Sequence, residues 1–246
     1  MTKTCDVVIN GQLHKVCISD EPEALLAAEA AGRAVLGVGE DCAVSCPWLS
    51  TFIRSWDEVG EKALQTIAER LVRRENQIPW VICETDRLVI REAGENDLEQ
   101  LAFLQIKAFE SRESLNSYIS CQYGFYEYGL WVLEEKNSGC IAGAAGVWNP
   151  EDTVCDMLKA AGEIPEDYLE MGYQIAEPYQ RKGLAREACQ AIMAYTDWEL
   201  ECKVCIQVDR TNLPSQKLAE SLGFRRIIPR TDSGEIQWPY LYGWSC

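Results

Sequence analysis

Met171-Gly-Tyr-Gln-Ile-Ala-Glu-Pro-Tyr-Gln-Arg-Lys-Gly-Leu-Ala-Arg186 changes character halfway along. Its first half is an apolar strand that ends at Pro178. A short turn follows, and a helix opens near Lys182 and Gly183. A helix start offers main-chain N–H groups with no partner and the positive end of the helix dipole. That combination cradles a phosphate or pyrophosphate. Gly183 leaves room for a ligand to approach the backbone, because any side chain there would occupy its space. Arg181, Lys182 and Arg186 gather positive charge at one spot of a chain whose net charge is −16. The stretch is neither a Walker loop, which needs G-x-x-x-x-G-K-S/T, nor the Rossmann G-x-G-x-x-G.

The segments around it alternate. Arg87–Arg91 reads as a strand, Asn96–Phe109 as a helix assisted at its start by Asp97, and Ser111–Tyr123 as a second helical stretch. Tyr128–Glu134 and Cys140–Trp148 read as a strand hairpin turned by Lys-Asn-Ser-Gly at 136–139. Asn149–Pro165 reads as a long acidic connection. Tyr168–Ile175 is a strand, Lys182–Glu199 a helix and Val204–Val208 a strand. Pro214–Leu222 is a helix stopped by Gly223, and Phe224–Ile228 and Gln237–Trp244 are the last strands.

With these elements in place the sequence resembles the GCN5-related N-acetyltransferase (GNAT) superfamily. The acetyl-CoA signature of that family, Q/R-x-x-G-x-G/A, is met by Gln180-Arg-Lys-Gly183-Leu-Ala185. Asn212-Leu-Pro-Ser215, running on to Gly223-Phe224, looks like the family's downstream helix. Thr85-Asp-Arg-Leu-Val-Ile-Arg-Glu-Ala93 is similar to the opening of the ribosomal-protein N-terminal acetyltransferase branch. The resemblance implies a mixed α/β fold, with a central sheet flanked by helices and acetyl-CoA as co-substrate. It implies backbone contacts from Tyr173, Gln174 and Ile175 to the pantetheine arm. It places the pyrophosphate on Arg181, Lys182, Gly183, Leu184, Ala185 and Arg186, and sets Asn212 and Ser215 beside the CoA moiety. Asn212 reads equally well as a turn or cap residue before Pro214, and the Tyr173 side chain reads as core.

Catalysis is where the chain departs from the family it resembles. Some members carry a Glu five residues before the Asn, where this chain has Gln207, and a Tyr seven residues after it, where this chain has Ala219. Glu170 matches another Glu of the family, two residues before the Gly of the strand, and is the candidate general base; an ordinary strand-end carboxylate is the plain alternative. Tyr240 and Tyr242 are candidates for the general acid, and a main-chain N–H of the Tyr173–Ile175 strand for the oxyanion donor. The expected activity is direct acetyl transfer from acetyl-CoA to a primary amine, either a small molecule or a protein N-terminus. The alternative is an acyl-CoA sensor or interaction module without turnover.

Residues 1–80 read as a separate, small Rossmann-like α/β unit, with the acetyltransferase domain spanning 81–246. Strands are expected at His14–Ile18, Ala34–Val38 and Thr51–Trp56, and helices at Glu21–Gly32 and Asp57–Arg74; Glu75–Glu84 reads as a linker. Ser19–Val38 resembles a βαβ segment of haloacid-dehalogenase-like proteins. The Asp-x-Asp nucleophile of that superfamily is missing, since Asp6 stands alone in CDVVIN, so a phosphatase is disfavoured and an accessory or docking module expected.

Composition sets the outer limits. With 246 residues, 47% apolar and 25% charged, the chain is an ordinary globular one and large enough to bury a core without staples. Excess acid argues against nucleic acid as a partner. No apolar run reaches the roughly 18–20 residues of a membrane span, and the N-terminus lacks the build of a signal peptide. A soluble, cytoplasmic protein is expected. The 12 cysteines are scattered, several within apolar runs, and His14 is the single histidine. Free thiols are therefore expected rather than disulfides or a metal site, including at the closely spaced Cys42–Cys46 and Cys202–Cys205. The oligomeric state is open, a homodimer included.

Overall fold

Residues 1–39, 42, 45, 46, 49, 51–227 and 240–244 are described by the computed structural model. Contacts divide the chain into two units. One comprises Met1–Trp80 together with Ile119–Glu127, and the other Val81–Tyr118 and Tyr128–Cys246. The first unit thus takes in a segment from the middle of the sequence as well as the residues the sequence set apart.

The first unit begins with a strand the sequence reading missed. β1 (Thr2–Ile9) pairs antiparallel with β2 (Gln12–Ser19) along its whole length. Asn10 and Gly11 turn the hairpin with φ of 51° and 79°, the left-handed pair that an Asn-Gly turn favours. β3 (Ala34–Val38) and the two-residue β4 (Phe52–Ile53) continue the sheet in parallel, giving the order β1-β2-β3-β4. Helix α1 (Pro22–Ala30) and helix α2 (Glu61–Glu75) complete the unit. α2 begins after Gly60 rather than at Asp57, because Trp56–Glu58 forms a 3₁₀ turn. Its Leu64, Ile67, Ala68, Leu71 and Val72 recur at helical spacing and pack against Val16, Ile18, Leu36 and Val38 of the sheet. Leu25, Cys42, Cys46 and Leu49 form a second cluster with Val35 and Phe52. The inserted segment is tied in by polar contacts: the Arg70 guanidinium lies 2.5 Å from a Glu127 carboxylate oxygen. Thr51 donates to Glu127 at 3.0 Å, and Arg74 to the Gly124 carbonyl at 3.1 Å.

The second unit is built on an eight-stranded sheet. β5 (Val81–Glu84), inside the expected linker, pairs with β6 (Leu88–Arg91). Then follow β7 (Leu130–Glu135), β8 (Cys140–Trp148), β9 (Tyr168–Ile175), β10 (Lys203–Val208), β11 (Arg225–Ile227) and β12 (Tyr240–Trp244). The order is β11-β12-β10-β9-β8-β7-β6-β5, and among the described residues only β9 and β10 run parallel. Ile228 and 237–239, counted in the expected last strands, lie outside the described residues, as does Cys246.

The continuous helix expected over Asn96–Phe109 is broken into short turns, with Gln105 at φ 53°. Asp97 accepts the Gly94 N–H at 2.7 Å and a two-pronged Arg91 guanidinium at 2.7 and 2.8 Å. α3 (Arg112–Tyr118) runs on into a π-helical turn at Ile119–Tyr123. α4 (Asp152–Ala161) replaces most of the expected acidic connection. Its Val154, Met157 and Leu158 cover Tyr168, Cys205 and Leu241 on one face of the sheet. α5 (Leu184–Glu199) and α6 (Leu213–Ser221) follow β9 and β10.

Candidate active site

The parallel pair at the middle of the sheet comes apart. β10 is registered with β9 only over Lys203–Tyr168, Val204–Leu169 and Cys205–Glu170. Beyond Glu170, β9 runs on to Ile175 paired with β8 alone, and β10 runs on to Val208 paired with β12 alone. Among the described residues each strand therefore has a free inner edge, and the sheet opens as a slot whose apex is Glu170–Cys205. Ala176 donates to Ala142 of the β8 side at 2.9 Å. In an antiparallel ladder the residues alternate in the strand they address. Tyr173 and Ile175, out of phase with Ala176, thus turn their N–H groups into the slot. Gln174 does not: its backbone faces β8, and its side chain donates to the Leu104 carbonyl at 2.7 Å.

The slot leads to the start of α5. Ile175 gives its carbonyl to the Gln180 side chain at 3.0 Å, which ties the turn to the strand. Arg181 and Gly183 both take left-handed backbone conformations, φ 61° and 80°, and Gly183 caps the helix without a side-chain acceptor. The first N–H groups of α5, on Leu184, Ala185 and Arg186, are left without main-chain partners within the helix. Arg181, Lys182 and Arg186 are exposed around them.

A brace holds this turn from behind, made of residues the sequence reading passed over. Arg87 donates from Nη1 to the Lys182 carbonyl at 2.8 Å and from Nε to Glu187 Oε2 at 2.6 Å. Its Nη2 is 2.6 Å from the same oxygen. Glu187 Oε1 accepts the Thr85 hydroxyl at 2.6 Å and the Arg87 main-chain N–H at 2.9 Å. Burial opposes ionisation of Glu187, but these bonds prevail and hold its carboxyl below the usual range. The signal in the sequence is Thr85-Asp-Arg87 ahead of β6, visible as a resemblance but with no contact attached to it.

Glu170 lies at the apex and is 8% exposed. Burial pushes its carboxyl up, and bonds from the Glu151 N–H and the Trp148 side chain oppose that rise. Its Oε2 is buried with no partner among the described residues. Trp148 reaches this place because β9 carries glycine beside it: a Cβ on Gly172 would stand 2.4 Å from the indole ring. Trp148 is a second residue the sequence reading did not single out.

Other expected site residues separate by sheet face. Glu170 shares a face with Tyr168 and Cys205. Tyr173, Tyr240 and Tyr242 project from the opposite one, as the strand registers require. Tyr173 receives a hydrogen bond from the Ser215 side chain, so two expected CoA residues do meet. Asn212 caps α6, its Oδ1 accepting the Ser215 N–H at 3.2 Å. The Tyr240 ring is stacked by Arg226 at 3.6 Å and approached by Arg210 at 5.4 Å. Tyr242 is buried. The structure does not bring Tyr240 to Glu170. Gln207 stands on the Glu170 face of β10 and Ala219 is buried in α6. Among the described residues no cluster of three or more His, Cys, Asp or Glu is arranged to hold a metal ion. Nor is any helix among them long and apolar enough to cross a membrane.

A slot edged by main-chain donors and ending at a cationic helix start suits an extended ligand that terminates in phosphates. In comparison with known proteins, residues 87–225, more than half of the chain, match the acetyltransferase (GNAT) domain, and the chain belongs to that family. It is accordingly an acyltransferase whose acyl donor is acetyl-CoA. Among solved structures it is similar to a chain described as a GnaT-family acetyltransferase from Bordetella pertussis. Identity is 25%, 65% of this chain and 96% of that one are covered, and the TM-score is 0.48. An acetyltransferase from Agrobacterium tumefaciens is 17% identical, with coverages of 67% and 94% and a TM-score of 0.48. The ribosomal-protein-S5-alanine acetyltransferase from Vibrio fischeri is 16% identical, with coverages of 65% and 93% and a TM-score of 0.50, a likeness of fold.

Proposed function

We propose that the protein transfers the acetyl group of acetyl-CoA directly to a primary amine, with the pantetheine arm in the slot between β9 and β10. The observation that carries this reading is the loss of β9–β10 pairing beyond Glu170 and Cys205. It leaves an extended edge where a pantetheine arm can bond as a strand would, aimed at the α5 start. Residues Arg181 to Arg186 then receive the pyrophosphate, by main-chain N–H groups, helix dipole and side-chain charge. Gly183, which lacks a Cβ, supports that seat. The Tyr173 N–H serves the arm or the thioester oxygen, and the Tyr173–Ser215 bond fixes the far wall.

Chemistry follows from the apex. The amine nitrogen attacks the thioester carbon, a C–N bond forms, and the C–S bond breaks with its electron pair going to sulfur. The amine must shed a proton, and Glu170 is the base in this proposal. Its support is a buried oxygen with no partner among the described residues and a carboxyl held above its ordinary range by burial, the condition that suits a base working near neutral pH. Charge accumulating on the thioester oxygen is met by a main-chain N–H. A thiol with a pKa near 8.5 departs as a thiolate without a dedicated acid, so Tyr240, on the other face, is given no role.

The acceptor is a primary amine, whether on a small molecule or at a protein N-terminus. The test is transfer of labelled acetyl from acetyl-CoA to a panel of small amines and peptide N-termini. A labelled amide is expected with at least one of them. With Glu170→Gln, kcat should fall by roughly 10²–10⁴, the span of general-base catalysis, while acetyl-CoA affinity is kept. Binding without transfer to any amine would instead make the chain an acyl-CoA-binding module.

A further inference from the structure

Glu187 presents an electrostatic problem. It stands in the first turn of α5, against the residues proposed to take the pyrophosphate, where a free carboxylate would oppose the attraction of the helix start for a phosphate. Every face of that carboxylate is nonetheless engaged. Oε1 takes the Thr85 hydroxyl and the Arg87 main-chain N–H, and Oε2 takes two nitrogens of the Arg87 guanidinium. Glu187 is 18% exposed and Arg87 44%. The same guanidinium holds the Lys182 carbonyl, and its Nη2 lies 3.5 Å from the place a Gly183 Cβ would occupy.

We propose that Arg87 is a positioning residue for acetyl-CoA, which neutralises Glu187 and fixes the Lys182–Gly183 turn so that the α5 start meets the pyrophosphate unopposed. Thr85 and Glu187 are its partners in the clamp. Glu187 is then the anchor that lets one arginine grip both the turn and the helix. The arrangement needs the planar two-pronged head of arginine; lysine has a single point of charge and can meet the carbonyl or the carboxylate but not both. This inference rests on the pyrophosphate seat proposed above.

The experiment is calorimetric titration of acetyl-CoA, and separately of S-acetylpantetheine, which lacks the pyrophosphate, into the full chain and its variants. Arg87→Ala should weaken acetyl-CoA by about 10- to 100-fold, the range for losing hydrogen bonds to charged groups. Arg87→Lys should fall between it and wild type. S-acetylpantetheine should lose far less, because the uncovered Glu187 charge has no phosphate to repel. Adding Glu187→Gln to Arg87→Ala should restore a large part of the affinity. A merely structural role would weaken both donors alike and give no such recovery. The proposal fails if Arg87→Ala binds acetyl-CoA as wild type does, if both donors lose equally, or if the double variant is no tighter than the single one. Wild-type affinity in Gly183→Glu would instead displace the pyrophosphate from this turn, and the clamp's purpose with it.

Discussion

Replacing Gly183 separates two demands placed on one residue. The first is conformational. At φ 80° any other residue sits in the left-handed region, at about 1–2 kcal/mol for an L-side chain. Space is not the obstacle, since the nearest atom to an added Cβ is Arg87 Nη2 at 3.5 Å, an ordinary contact. Gly183→Ala should therefore fold, lose about 1 kcal/mol of stability, and bind acetyl-CoA at most roughly tenfold more weakly through its one methyl group. The second demand is electrostatic. Gly183→Glu adds the same strain plus a negative charge. At about 5 Å, with an effective dielectric constant between roughly 20 and 80, each phosphate charge is opposed by about 1–3 kcal/mol. Two such charges give at least about 2 kcal/mol, or roughly 30-fold in Kd beyond the alanine variant. The assay is titration calorimetry on wild type and both variants, with melting temperatures alongside. The Ala–Glu gap should narrow as salt rises from about 0.05 to 0.5 M, because screening shortens the reach of charge. Equal affinities for the two variants, or a gap indifferent to salt, would refute the placement of phosphate at this turn.

Glu170→Gln should lower turnover and raise the melting temperature at pH 7.5. The folded carboxyl is held above its unfolded pKa, so the folded chain binds more protons between the two values and stability falls as pH climbs through them. The neutral amide escapes that loss; a variant less stable than wild type at pH 7.5 would contradict the sign. For the same reason the rate of the wild type should rise with pH through a value above 4.5, and an acid limb at or below that value would remove Glu170 as base. Deleting residues 1–80 should leave Ile119–Glu127 without Thr51, Arg70 and Arg74. Chymotrypsin should then cut at Tyr123 and Tyr126 far faster than in the full chain, and equal protection would show that the segment holds itself. In the full chain, Glu127→Ala should speed the same cleavage to a smaller degree.

The site was legible wherever chemistry forces residue type. Gln180 to Arg186 reads as a phosphate-binding turn because glycine, cations and a helix start coincide there, and the proposed pyrophosphate seat rests on that turn; the strand before it is plain from its apolar run. What stayed hidden depends on contacts between distant residues. Arg87 and Glu187 are 100 positions apart, and nothing local marks either as partner to the other. Trp148 reads as the end of a buried strand, and its reach to Glu170 depends on Gly172, two residues along the neighbouring strand from Glu170. Sequence alone puts Gln174 beside Tyr173 and Ile175, whereas the ladder's alternation sends its backbone to the opposite neighbour.

In the fold, two omissions had signals available. Asn10-Gly11 between CDVVI and QLHKV is a strong hairpin cue, and β1 follows from it. α4 carries Val154, Met157, Leu158 and Ala161 at helical spacing with Gly162 behind them at φ 86°, but its acidic residues dominate a reading by composition. The reverse error, one helix over Asn96–Phe109, arises because its apolar residues keep a helical period. The Gln105 left-handed turn and the Asp97–Arg91 pair nonetheless break the chain into short pieces. The attachment of Ile119–Glu127 to the first unit carries no local mark at all, since it depends on Arg70 and Thr51 finding Glu127.

The central claim is that acetyl-CoA lies in the slot where β9 and β10 part. A crystal structure of the full chain with acetyl-CoA tests it most directly. The account predicts the pantetheine arm bonded to the Tyr173 and Ile175 main chain, the thioester near Glu170, and the pyrophosphate on the N–H groups of Leu184 to Arg186. Acetyl-CoA seated elsewhere, with residues 171–175 and 206–208 untouched, would contradict it.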